Sequence, residues 1–165
     1  MTLISPIPAP LGVPILRDHS LRHALPAGSR VLTARGEALV ETLVQGDRVI
    51  SRDHGMVRIR DVVRGEAPRG AAMVLFPAGS LGRGRPERDV LLPLDQPLVL
   101  RDWRARALFS AKEARVAALR LVDKAVIRRV SSPGLATFAI VLDRPSALYV
   151  DGLELVSGAM DALPD

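Results

Sequence analysis

The sequence contains no cysteine in 165 residues. Without thiols there is no disulfide, no thiolate zinc site and no thiol nucleophile. A cysteine-free chain tolerates either redox environment, so its compartment stays open. Aromatic residues are also scarce: one Trp, one Tyr and three Phe are too few for the stacking platform of a single-strand nucleic-acid binder. Only three histidines are present, His19, His23 and His54. No two of them have the spacing that presents a pair of metal ligands from one helix, and no metal or other cofactor is expected.

What is there suits one domain, or a domain with an arm. Hydrophobic residues make up 48% of the chain, enough at this length to bury a core. The formal charge is +5 and the sequence pI about 10.8. The basic residues are almost all arginine and are spread among 18 acids, which reads as a solvated surface of mixed charge rather than a nucleic-acid footprint.

Residues 1–23 form a first segment, apolar and rich in proline (Pro6, Pro8, Pro10, Pro14). It lacks a basic leader and an uninterrupted apolar run, so it reads as neither signal peptide nor membrane helix. On that basis the chain is expected to be cytoplasmic or exported by a non-classical route. Prolines at this density favour an extended arm. Its Leu, Ile and Val residues need apolar cover, either on the chain's own domain or on a protein partner reached through residues 1–20.

From residue 28 onward the pattern is mainly β. Short apolar or alternating runs at Val31–Ala34, Ala38–Leu43, Arg48–Ser51, Val57–Arg60, Ala71–Phe76, Val90–Leu92, Leu98–Leu100, Thr137–Leu142, Ala147–Val150 and Leu153–Val156 are separated by turn residues. Asp151-Gly152 is a favoured type I′ pair. Ala78–Pro86 carries too many breakers to be regular. Ser110-Ala111-Lys112-Glu113 has the form of a capping box, and Ala111, Ala114, Ala118 and Leu121 recur at helical spacing, so one short helix is expected over 110–122. Residues 159–165 read as a tail.

Ser29 draws attention as a hydroxyl at the mouth of a strand. It would be a nucleophile only with a base alongside, for which His23 and His54 are the candidates. The simpler role is a turn into the strand, with the hydroxyl bonded to local backbone. His54, between Asp53 and Gly55, fits an exposed turn. Gly79-Ser80-Leu81-Gly82-Arg83-Gly84 resembles a phosphate loop only superficially, since it does not end in Gly-Lys-Ser/Thr.

Read in order, AGSRVLTARGEALVETLVQGDRVISRDHG over 27–55, the Gly-rich segment 78–92 and the closing segment 142–153 resemble the Hint domain, the module shared by Hedgehog proteins and inteins, and specifically its bacterial variety. The resemblance covers roughly residues 24–157 and implies a compact β domain over 24–158. It also implies a chemistry, in which the peptide bond before an N-terminal Cys or Ser rearranges to a thioester or ester with help from a histidine; inteins then cyclise a C-terminal Asn. Matching Gly28-Ser29 to the family's Gly-Thr puts Ala24 at the nucleophile position. Gln96 stands at the histidine position, and Pro145 where relatives often carry another histidine. The chain has no asparagine. No catalytic residues are therefore expected. Some 23 residues before Ala24 are too few for a processed partner domain, so the resemblance implies a Hint scaffold kept for its shape as a structural or protein-interaction module, within a larger assembly. Self-cleavage through Ser29 with a nearby histidine, and nucleic-acid binding through Arg83, Arg85 and Arg88 or Arg101, Arg104 and Arg106 beside Trp103, are the alternatives.

Overall fold

A long strand, Leu135–Leu142, runs through the centre of the molecule in a computed structural model that describes residues 23–160. Its sequence LATFAIVL is a near-continuous apolar run, and its last six residues are all buried. Such a run suits a strand covered on both faces. One edge pairs antiparallel with Asp61–Ala67, from Leu135 opposite Ala67 to Val141 opposite Asp61. The other edge takes two short pieces from opposite ends of the described chain. Leu25–Pro26 pairs antiparallel with Phe138 and Thr137, and Gly158–Ala159 pairs in parallel with Val141 and Leu142. One strand thereby fixes both ends of the domain on the same edge.

A second, eight-stranded sheet runs in the order Ala114–Ala117, Pro97–Leu100, Leu153–Val156, Ala147–Val150, Arg30–Thr33, Arg48–Ser51, Gly55–Arg58, with Gly36–Leu39 paired to Arg30–Thr33. A third, of three strands, joins Arg128–Ser131, Ala72–Phe76 and Val90–Pro93. Their inward faces share one core, with Val31, Phe76, Leu98, Ile140, Leu148 and Leu155 among its buried members. The expected class holds: mainly β, with many short strands and, among the described residues, one short helix. Ile59 is buried while Arg58 and Arg60 on either side are exposed, as the alternation there requires. Asp151 and Gly152 both take positive φ (50° and 83°) in the tight turn between Ala147–Val150 and Leu153–Val156, which is the geometry a type I′ pair supplies.

The helix lies elsewhere than the capping box suggests. It spans Trp103–Phe109, with Asp102 as N-cap accepting the Arg104 amide. Ser110 ends it rather than starting one: its φ and ψ are 55° and 37°, and its N–H bonds back to Arg106. Glu113 turns instead to Arg52, at 2.6 Å. Ala114–Ala117, expected to be helical, is a strand paired with Pro97–Leu100. Edge pairing satisfies that backbone and overrides the modest propensity of its alanines. Ala118–Leu121 closes as a single 3₁₀ turn.

His23, assigned to the arm, is buried, and Ala159, assigned to the tail, belongs to a strand. The rest of the arm, including the stretch 1–20 expected to meet a partner, and residues 161–165 of the tail lie outside the described residues. Among the described residues no helix is long and apolar enough to cross a membrane.

The loop before Arg128–Ser131 depends on one carboxylate. Asp123 accepts the backbone amides of Ala125, Val126 and Ile127 at 3.0, 2.8 and 2.9 Å. These amide bonds, that of Val126 foremost, hold its pKa below the usual carboxylate value. A carboxyl with a depressed folded pKa contributes stability above its unfolded pKa and loses it as pH falls through the folded value. Asp123→Ala should therefore lower stability near neutral pH by about 1 kcal/mol. The gap to wild type should close as pH drops below about 4, and urea unfolding at a series of pH values measures both.

Candidate functional site

The convergence of both ends of the described segment on the central strand brings His23 and Ala24 against Gln96, some seventy residues away in sequence. Gln96 is completely buried at the turn between Val90–Pro93 and Pro97–Leu100. Its Oε1 lies 3.1 Å from the Ala24 backbone N and 3.1 Å from His23 Nδ1. Its Nε2 donates to the carbonyls of Pro97 at 2.9 Å and Val156 at 3.1 Å. Two bonds accepted and two donated exhaust what a primary amide side chain can make.

The partners also fix which way the amide faces. Ala24 N–H can only donate, and the Pro97 and Val156 carbonyls can only accept. Oε1 must therefore face His23, so His23 Nδ1 carries a proton and donates. The peptide bond joining His23 to Ala24 is thus held by Gln96 from one side, and the same side chain ties it to the closing strand Leu153–Val156.

The structure brings together two of the three positions that the resemblance assigns to chemistry. Ala24 contributes a buried methyl group beside the His23–Ala24 peptide, and a methyl has no lone pair with which to attack a carbonyl. Gln96 bonds the amide nitrogen of that peptide but exchanges no proton near neutral pH. Pro145 is exposed in the loop that follows Leu142.

Ser29 is buried, and its hydroxyl donates to the Pro26 carbonyl at 2.7 Å, a bond within the turn that enters strand Arg30–Thr33. His54 occupies an exposed turn, with Nδ1 2.8 Å from Ser146 Oγ. Both side chains are engaged away from each other, Ser29 locally and His54 across the fold.

Two features escaped sequence reasoning. The four-bond role of Gln96 was hidden because its partners, the His23 imidazole and three backbone groups, come from three separate segments, which no motif records. The His54–Ser146 pair spans 92 residues and opens on a cavity of about 250 Å³ that Arg58 and Arg144 also line. Asp53 contributed a usable signal, since Asp at a turn often bonds backbone. Here its carboxylate accepts the Ala147 amide at 2.8 Å.

If Gln96 is the fastener this geometry makes it, removing the amide strands a buried N–H at Ala24 and a buried carbonyl at Val156. Gln96→Ala should cost about 3 kcal/mol, since each orphaned buried group costs of order 1–3 kcal/mol. Chemical denaturation followed by circular dichroism measures this, and a loss under about 1 kcal/mol would contradict the assignment.

Comparison with known proteins agrees with this architecture. A family model described as Hint domain matches residues 23–161. Among solved structures, the solution structure of a bacterial intein-like domain from Clostridium thermocellum superposes with a TM-score of 0.56 at 16% identity, covering 82% of this chain and 99% of that one. The MchDnaB-1 intein gives 0.53 at 9% identity, covering 82% and 99%. The AceL NrdHF class 3 split intein gives 0.53 at 11% identity, covering 83% and 98%. Likeness at such identity speaks to the fold alone. No curated protein sequence matches the chain.

Proposed function

The chain belongs to the Hint domain family, and from that premise we propose that it is a member without the family's self-processing chemistry, serving as a structural or protein-interaction module. One observation carries the proposal: the His23–Ala24 peptide has a methyl group where a nucleophile would stand and a saturated glutamine where a proton-transferring histidine would stand. Acyl transfer at that bond needs both an attacking heteroatom and a group to shuttle its proton.

The arrangement supports a holding role. The proline-rich segment enters the domain at His23, and Gln96 clamps that point to strands from the middle and the end of the chain. A firmly seated His23–Ala24 junction gives the domain a fixed surface at that point, which reduces the entropy lost when a partner binds there. Exposed apolar residues such as Val44 and Met56 offer further contact area.

Self-cleavage through Ser29 is the weaker reading. Its hydroxyl is spent on Pro26 within a buried turn, so an attack would first have to break that bond and expose the side chain.

Intact-mass spectrometry of the purified chain, incubated with and without hydroxylamine, should show only the full-length species. A fragment beginning at Ala24 would overturn the proposal. The double variant Ala24→Cys, Gln96→His should gain hydroxylamine-dependent cleavage before residue 24, since it restores a nucleophile and a proton carrier to a retained scaffold. Ser29→Ala should leave the mass spectrum unchanged and cost about 1 kcal/mol of stability.

A further inference from the structure

Two arginine clusters from separate segments meet at one cleft. The Gly-rich loop supplies Leu81, Arg83 and Arg85, and the segment opening the helix supplies Arg101, Trp103 and Arg106, around a space of about 450 Å³. That is within the size range of small-molecule sites. Not every arginine of the two clusters takes part. Arg88 pairs with Asp151, and Arg104 pairs with Asp102 at 2.9 Å while donating to the Ser80 carbonyl at 3.3 Å. Arg104 thereby fastens the helix to the loop, and it stacks over the Trp103 ring at 4.7 Å.

The loop itself is tied down. Gly79 N–H donates to Pro86, Leu81 N–H to Arg85 and Arg85 N–H to Gly82, at 2.8, 2.8 and 3.0 Å. These bonds hold Arg83 at φ 55°, a backbone conformation that side-chain-bearing residues rarely adopt. The cleft walls are therefore set before any ligand arrives.

Its charge is not balanced. Among the described residues the carboxylates nearest the cleft are already engaged, Asp102 by Arg104 and Glu154 by Arg101 and Arg52. Arg83 and Arg106 are exposed and have no ion-pair partner among the described residues. Arg85 lines the cleft and has no ion-pair partner among the described residues, although its Nε is itself buried. Guanidinium forks match phosphate oxygens in geometry and charge. Beside them Trp103, 65% exposed, offers a flat ring on which a base can stack.

We propose that this cleft binds a single nucleotide unit, its phosphate on Arg83, Arg85 and Arg106 and its base against Trp103. A lone tryptophan serves one base, so the site is nucleotide-sized rather than a groove for a strand. This agrees with the shortage of aromatics and is independent of the role proposed for Ala24 and Gln96.

Trp103 is the chain's only tryptophan, so its fluorescence reports on the site directly. Titration of the full chain with uridine 5′-monophosphate at low salt should quench Trp103 with a dissociation constant in the millimolar range or tighter, and calorimetry should return the same value. Uridine alone and inorganic phosphate alone should each bind at least about tenfold more weakly. Arg83→Ala with Arg106→Ala, both at exposed positions, should weaken nucleotide binding by about tenfold or more without changing the thermal midpoint. A 5′-phosphorylated uridine octamer distinguishes the sources: binding within about tenfold of the monophosphate places the end of a strand in the cleft, and exclusion of the octamer marks a site for free nucleotide. Absence of monophosphate binding, unchanged binding by the double variant, equal binding of a hexaglutamate peptide, or octamer binding more than about a hundredfold tighter would each overturn the proposal.

Discussion

The fold turns on a buried amide. Gln96 makes four hydrogen bonds to groups contributed by three separated segments: the entry at His23 and Ala24, its neighbour Pro97, and the closing strand at Val156. Burying an unbonded primary amide would be unfavourable by a few kcal/mol. With every donor and acceptor matched, the same group rigidifies what it joins and specifies one arrangement of the three segments. Strand Leu135–Leu142 places Leu25–Pro26 and Gly158–Ala159 on one edge, and Gln96 fastens the segments beside them.

That division of labour explains how a chain made of short strands reaches a single core. Most strands here have four residues or fewer, and pairs that short are marginal by themselves. The long central strand and the eight-stranded sheet supply continuity, and polar fasteners at the crossings set the register. Asp53 holds the Ala147 amide, Asp151 takes Arg88, and Ser29 closes the turn on Pro26. Each is a buried or half-buried polar group with its partner found, so each acts against alternative pairings as well as for the observed one.

Much of this was legible in the sequence because β structure announces itself locally. The Asp151-Gly152 turn and the apolar run to Leu142 depend only on neighbouring residues and appear where expected, and the burial at 57–60 alternates as read although the strand there is Gly55–Arg58. The helix was misplaced because its evidence was local while its cause was not. Ser110 and Glu113 satisfy a capping pattern, but Glu113 is drawn to Arg52 and residues 114–117 to a strand edge, neither of which the pattern encodes. Asp102, the real N-cap, was a signal of the same kind and was available. At the site, the family resemblance singled out Ala24 and Gln96, and the structure joins them. The four-way bonding could not be read, because three of the four partners are backbone carbonyls and amides, which look alike in every sequence. The arginine cleft was half legible: its members stood in two runs, but only the fold shows that Arg88 and Arg104 are neutralised while Arg83, Arg85 and Arg106 are not.

On the proposed reading, the chemistry of position 96 links stability to the loss of proton transfer. An imidazole has two ring nitrogens to offer, whereas the buried groups around this position ask for two acceptor contacts and two donor contacts. A histidine here would leave at least two of those buried groups without partners, at a cost of order 1–3 kcal/mol each. Glutamine removes that cost and, with it, the capacity to take or give a proton near neutral pH. Where no nucleophile stands at residue 24, a proton carrier at 96 has nothing to assist, and the balance falls to the residue that bonds best. The same constraint runs in reverse: once four bonds depend on the amide, placing a histidine at 96 alone carries an immediate loss of stability with no gain in reactivity.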